Sequence, residues 1–402
     1  MTETSSNYNA TAQTDPVPDP GHGASATTRR RRIITVAVAA VVIVAGSALA
    51  LTAFNAHAGV PKHDPHTAPT PGPSSLSVIP AALHASVQVP VTASGDAPGV
   101  TVNSDENESD PFLYLNSGRY YLYTSDIPST PTVNVPVASA TSFGKWSKVT
   151  DALPVLPAWA GSGYTWAPDI HQFGSTYDLY FTAYVKGSDE ECIGSAVSSS
   201  PTGPFTPERE PFICQTGMGG SIDPRVFTAA DGTRWMLWKS DQNYGGRSVP
   251  TVLWSQKLTG NGLGLVGSPS RLMGPDESWQ GTIVEAPDML DVDGTYWVFY
   301  TGNWFNQPVY GVGAARCAGP AGPCADTTDT PLLATNLQGS GPGEASVFAD
   351  SAGVWMLYTP YYAASVDSPR PVDITRLGFG ADGPYLAAGG PPPNLAGGRS
   401  TP

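Results

Sequence analysis

Between Asp110 and Thr359 the chain repeats one pattern of apolar and polar positions. Its clearest copy runs from Val284-Glu285-Ala286-Pro287-Asp288 through Asp293-Gly294 to Tyr296-Trp297-Val298-Phe299-Tyr300-Thr301. Trp297 and Phe299 alternate with Tyr296, Val298 and Tyr300, the period of two that a pleated strand requires. Asp293-Gly294 supplies the positive φ of a tight hairpin turn. The copy therefore predicts two antiparallel strands with a carboxylate, Glu285, at the mouth of the first.

Four more copies follow the same plan. Asp110-Pro111-Phe112 leads through Gly118 to Tyr120-Tyr121-Leu122-Tyr123, and Trp166-Ala167-Pro168-Asp169 through Gly174 to Tyr177-Asp178-Leu179-Tyr180-Phe181. Asp223-Pro224-Arg225 leads through Gly232 to Trp235-Met236-Leu237-Trp238, and Glu344-Ala345-Ser346 through Gly353 to Trp355-Met356-Leu357-Tyr358. Counted back from each turn glycine, Asp110, Trp166, Asp223, Glu285 and Glu344 share one register, 8 or 9 residues before the turn, and lie 56, 57, 62 and 59 residues apart. Five all-β units at a near-constant period predict a solenoid or a propeller. Solenoid rungs are shorter, whereas four strands with long loops fill this length, so the expected fold is an all-β, five-bladed β-propeller. Its innermost strands would bring four carboxylates and one tryptophan to a single axis.

Composition agrees with many short strands. The chain has 44 Gly, 40 Pro and 10% aromatic residues, and no amphipathic helix is evident in the folded part. A net charge of −14 argues against a nucleic-acid partner, which favours a basic face; it suits solubility and a neutral or cationic substrate. Residues 1–28 are polar and read as a disordered tail. Residues 29–58 join an arginine block to an apolar run long enough to span a bilayer, with the arginines holding the N-terminus in the cytoplasm. Ala56-His57-Ala58 resembles a signal-peptidase site. This stretch is read as a signal peptide or, uncleaved, a signal anchor, and either places the rest outside the cytoplasm, with no other membrane contact. The Pro/Ser/Thr-rich residues 59–85 read as a disordered linker, 86–386 as the propeller and 387–402 as a flexible tail.

Cys192, Cys214, Cys317 and Cys324 all lie in the exported part, where an oxidising compartment and an even count suggest two disulfides. Three pairings are open; Cys192–Cys214 and Cys317–Cys324 are favoured because each closes a short excursion within one blade. No CxxC pair or nearby histidine points to a metal site, and His171 is the only histidine of the folded part.

Each axial residue also has a plain reading. Asp-Pro before a strand is commonly a turn cap, and Trp166 serves as well in a core as under a sugar ring. Asp169 and Asp288, three residues beyond Trp166 and Glu285, read mainly as structural acceptors, with Asp169 kept as a candidate ligand contact. A ring of carboxylates on one axis, however, raises the pKa of at least one member. A protonated acid beside an ionised one is what cleavage of a glycosidic bond requires. No Gly-x-Ser-x-Gly elbow, phosphate-cradling loop or HExxH competes with that chemistry.

Asp110-Pro111, Trp166-Ala167-Pro168-Asp169, Ile222-Asp223-Pro224 and Val284-Glu285-Ala286-Pro287 together resemble the motifs of glycoside hydrolase family 43, the five-bladed arabinanase, arabinofuranosidase and xylosidase group. So do Ile193-Gly194-Ser195-Ala196 and Ser200-Pro201-Thr202-Gly203-Pro204-Phe205, and the likeness covers about Asp110 to Tyr358. It implies an inverting hydrolase of pentose-containing polysaccharide, of arabinan or arabinoxylan type. Asp110 would be the general base, Glu285 the general acid, and Asp223 the third carboxylate that raises and orients the acid. Arg316 falls where such proteins often place a substrate-contacting arginine. Many arabinanase-like members carry a histidine early in the fifth blade that holds a central ion or water cluster; Gly343-Glu344-Ala345-Ser346 stands there instead. No calcium or other cofactor is therefore expected, and linear arabinan is not the expected substrate. Glu344 is left to meet a cation, a sugar hydroxyl, or a base such as Arg316.

Two other readings compete. A fructan-cleaving five-bladed enzyme would retain configuration, but Ile222 before Asp223 and Ala-Pro after Glu285 disfavour it. A non-catalytic glycan-binding propeller would not need all three carboxylates. The chain is expected to act as a monomer on polysaccharide or oligosaccharide. Tyr164, Trp279, Trp304, Phe305, Tyr361 and Tyr362 are candidate rim aromatics, and the loops at 241–246 and 304–308 candidate walls of the subsites.

Overall fold

A computed structural model of the chain describes residues 100–101, 108–127, 131–141, 146–336, 339–350, 353–361 and 370–387. The expected tail, signal segment and linker at 1–85 lie outside these residues, as do 388–402. Among the described residues no helix is long and apolar enough to cross a membrane.

The strands form five antiparallel sheets, the blades of a propeller. After β1 (Val100–Thr101), blade one holds β2 (Phe112–Asn116), β3 (Arg119–Tyr123), β4 (Pro136–Ala140) and β5 (Thr150–Asp151). Blade two holds β6 (Ala160–Phe173), β7 (Thr176–Val185), β8 (Glu191–Ser198) and β9 (Thr206–Pro207); blade three holds β10 (Ser221–Thr228), β11 (Arg234–Ser240), β12 (Leu253–Leu258) and β13 (Leu265–Met273). Blade four holds β14 (Val284–Val292), β15 (Thr295–Gly302), β16 (Gly311–Cys317) and β17 (Cys324–Asp326). Blade five holds β18 (Ser340–Asp350), β19 (Gly353–Tyr361), β20 (Asp373–Gly380) and β21 (Gly383–Ala387). Strand β1 also pairs with β20, Val100 opposite Ile374, so the N-terminal end of the described chain completes the last blade.

The second strand of each blade carries the aromatic run read from the sequence, and the packing explains its density. Blades stack face to face, so these strands are covered on both sides: Tyr123, Phe181, Trp238 and Tyr300 are all but completely buried. Each such side chain contributes about 1.5–3 kcal/mol by leaving water. Both disulfides have the favoured pairing, Cys192–Cys214 and Cys317–Cys324.

The inner strands differ from the count in one respect. Each carries a left-handed residue near its start or, in blade one, two residues before it: Asp110 (φ 52°), Ala167 (47°), Asp223 (56°), Ala286 (49°) and Glu344 (54°). Ladder pairing slips at this point in β6, β10, β14 and β18. The five equivalent positions therefore include Ala167 and Ala286, not Trp166 and Glu285, which stand one residue earlier. Counting from the turn missed this because the distance from the left-handed residue to the turn glycine varies by up to two residues among the blades.

Candidate active site

The five left-handed residues explain how the chain aims polar groups at one end of the axis. At each, the left-handed turn leaves a backbone N–H outside the ladder, and a buried donor needs an acceptor. The Ala167 N–H donates to Ser125 Oγ (3.1 Å), Asp223 N–H to Thr182 Oγ1 (3.1 Å), and Glu344 N–H to Thr301 Oγ1 (2.9 Å). Thr182 and Thr301 sit at the same place on the second strand of the preceding blade, and Ser125 just beyond the end of β3. Blade three breaks the rule, because Lys239 occupies that place and accepts nothing. There Asp223 Oδ2 accepts the Ala286 N–H instead (2.9 Å). Blade five breaks it differently: Glu344 Oε2 accepts both the Asp110 N–H and the Thr359 hydroxyl, each at 3.0 Å.

Asp110, Asp223, Glu285, Trp166 and Glu344 line one cleft of about 540 Å³. The structure thus brings together all three carboxylates with predicted catalytic roles. Asp110 Oδ2 accepts from Ser125 Oγ at 2.5 Å. Burial, then Glu344, then Asp223 push its pKa well above the usual carboxylate range. Burial likewise raises Asp223, to about 7; Lys239 opposes the rise and Glu285 adds to it. Glu285 is in another environment. Its Oε2 receives the Lys239 ammonium at 2.9 Å and its Oε1 the Tyr310 hydroxyl at 2.6 Å, so both oxygens act as acceptors. Gly343 makes room for this contact, since a Cβ there would lie 2.0 Å from the Tyr310 ring. The raised pKa expected on the axis is found on Asp110 and Asp223.

Other expected contacts resolve differently. Asp169 is wholly buried below the cleft, where it accepts the Val226 N–H at 2.7 Å. Arg225 lies between Asp169 (3.5 Å) and Asp288 (3.7 Å), over the Phe112 ring, and His171 approaches Asp169 at 3.2 Å. With a guanidinium already balancing them, these two carboxylates do not fit a metal cation. Arg316 is exposed on β16, cross-strand from Trp297, and is not part of the cleft wall. Arg370 lines the cleft instead, bound to Glu344 Oε1 at 2.6 Å and stacked on Tyr361. Glu344 therefore holds an arginine, the basic-partner alternative with a different partner. Nothing in the strand pattern pointed to Arg370.

Of the rim aromatics, Tyr164 and Phe305 are half exposed at the cleft, with Trp304 beside Phe305. Trp279 stacks on Tyr300 in the core and Tyr361 is buried beneath Arg370; Tyr362 lies outside the described residues. Asp241, Asn243 and Tyr244 from the loop after β11 form one wall, next to Glu191. Burial, with Asp241 beside it, raises Glu191 to about 8. Lys239, Tyr310, Glu191 and Arg370 were not foreseen. Lys239 alone had a sequence signal, as the lysine standing where Thr182, Thr301 and Thr359 recur.

A rim of aromatic side chains over buried carboxylates suits a sugar polymer, and known proteins agree. Curated relatives include a xylosidase/arabinosidase of Humicola insolens, 34% identical over 32% of this chain but only 42% of its own length. A β-D-galactofuranosidase of Aspergillus niger is 26% identical over 69% of this chain and 81% of its own. An arabinan endo-1,5-α-L-arabinosidase of Emericella nidulans is 28% identical over 63% and 82%. Among solved structures, a thermostable family-43 glycoside hydrolase shares the fold with a TM-score of 0.63 and 24% identity, over 77% of this chain and all of that one. An endo-arabinase from Bacteroides thetaiotaomicron superimposes with a TM-score of 0.57 and 21% identity, over 70% of this chain and 98% of that one. Residues 104–385 match the family model for glycosyl hydrolases family 43, and the chain belongs to that family.

Proposed function

We propose that this glycoside hydrolase is exported and cleaves arabinofuranosyl linkages in pentose-containing polysaccharide by inversion. The observation that carries the reading is the convergence of Asp110, Asp223 and Glu285 on one aromatic-rimmed cleft. Asp110 takes a proton from the attacking water, Glu285 gives one to the leaving oxygen, and Asp223, tied to the backbone beside Glu285, orients the acid. Relatives named for arabinan and for galactofuranosides both act on five-membered sugar rings, which supports a furanoside substrate. Two disulfides agree with an oxidising compartment. Export rests on the arginine block and apolar run at 29–58.

The test is sugar release from L-arabinan, arabinoxylan, xylan, a D-arabinan and levan by wild type and Glu285→Gln. Release of pentose by wild type alone is the expected result. In Glu285→Gln, activity on aryl glycosides should survive better than on polymers, because good leaving groups need less protonation; Asp110→Asn should lose both. Equal loss on both substrate types in Glu285→Gln would remove the acid assignment.

A further inference from the structure

An inverting cycle leaves its two carboxyl groups in the wrong state for the next turn. Glu285 has given its proton to the leaving oxygen and is an anion, while Asp110 has taken one from water and is neutral. Before another cycle, Asp110 must release a proton to solvent and Glu285 must take one up. The surroundings of Glu285 suit the anion that a finished cycle leaves. Glu285 has both oxygens committed as acceptors, to Lys239 Nζ at 2.9 Å and the Tyr310 hydroxyl at 2.6 Å.

Lys239 is an unusual occupant of its place. It is 1% exposed, and it stands where blades two and four set a hydroxyl that caps the next bulge. Its Nζ has a second carboxylate within reach, Asp241 Oδ1 at 3.3 Å. The charges around the pair are few. Lys239 faces Glu285 from blade four and Asp241 and Asp223 from its own blade, with Glu191 of blade two behind Asp241. Tyr310, next to Glu285, faces Glu344 and Arg370 of blade five. Among the described residues, only Lys239 supplies a cation directly to Glu285.

We propose that Lys239 is a positioning residue for Glu285: its ammonium holds Glu285 as an acceptor between cycles and shifts to Asp241 when Glu285 takes up a proton. This rests on the reading of Glu285 as the acid. The shift moves a charge between two seats already in place, and the only proton exchanged on Glu285 comes from solvent. Lys239 thereby sets the pH above which the acid no longer reloads.

The pH profile of kcat/KM on an unactivated arabino-oligosaccharide tests this, because it reports the free enzyme. In general, an adjacent opposite charge moves a carboxyl pKa by about 1–3 units. The basic limb should therefore move up by about that much in Lys239→Met, stay in place in Lys239→Arg, and move down in Asp241→Asn, which removes the second seat. Should Lys239→Met not fold, Asp241→Asn carries the test alone. An unmoved limb in folded Lys239→Met, or in Asp241→Asn, would overturn the proposal and leave Lys239 a structural counter-charge. Infrared titration of the Glu285 carboxyl, taken as wild type minus Glu285→Gln, gives a readout independent of turnover. Loss of the acid assignment in the leaving-group test, with the infrared titration still responding to Lys239→Met, would mean that the reading of function had failed while the charge contact stood.

Discussion

Asp223→Asn should make the protein more stable while disabling it. Asp223 is held at about 7, against 3.8 for an ordinary aspartate, chiefly by burial. A carboxyl raised in this way favours the folded state only at low pH. Its contribution is fully present below the unfolded value, about 4, and is lost as pH climbs through the folded value, about 7. At about 1.36 kcal/mol per unit, the full penalty above pH 7 is about 4 kcal/mol; partial solvent contact reduces this to about 2–4 kcal/mol. Asparagine removes the charge and keeps an oxygen for the Ala286 N–H, so the fold should lose no hydrogen bond. Thermal unfolding followed by circular dichroism should show the variant melting about 5 °C higher at pH 8, converging on wild type near pH 4. Hydrolysis should meanwhile fall steeply, the usual exchange of stability for function at an active site. A variant no more stable than wild type at pH 8, or one equally stabilised at both pH values, would refute the reasoning.

Other consequences follow from named contacts. Arg225→Met should destabilise the fold by about 3–5 kcal/mol, because Asp169 and Asp288 lose the guanidinium between them; denaturant unfolding measures it. Tyr164→Ala and Phe305→Ala should raise KM for polymer with little change in kcat on a small aryl glycoside, since both lie on the rim, half exposed; steady-state kinetics on the two substrates separates the effects.

The five-fold repeat was legible because each blade must build the same hairpin, with alternating apolar positions and a left-handed turn residue such as Gly118 or Gly294. The position of the carboxylates was legible for the same reason, to within one residue. The slip of Trp166 and Glu285 against Asp110, Asp223 and Glu344 depends on a backbone bulge whose left-handed residue is Ala in blades two and four, and alanine gives no warning of positive φ. The contacts that decide protonation were less accessible. Lys239 meets Glu285 across 46 residues of sequence, and Arg370 meets Glu344 across 26, through turns of the chain that no local pattern encodes. Arg316 was drawn in by resemblance, but the fold places it on the outer part of a blade, where the guanidinium faces solvent.

The proposed inversion is a single displacement at the sugar carbon, with water activated by Asp110 and the leaving oxygen protonated by Glu285. Proton NMR of the first sugar released, recorded before mutarotation, tests it most directly. That sugar should have inverted anomeric configuration. A product of retained configuration would contradict it and turn one of these carboxylates into a nucleophile.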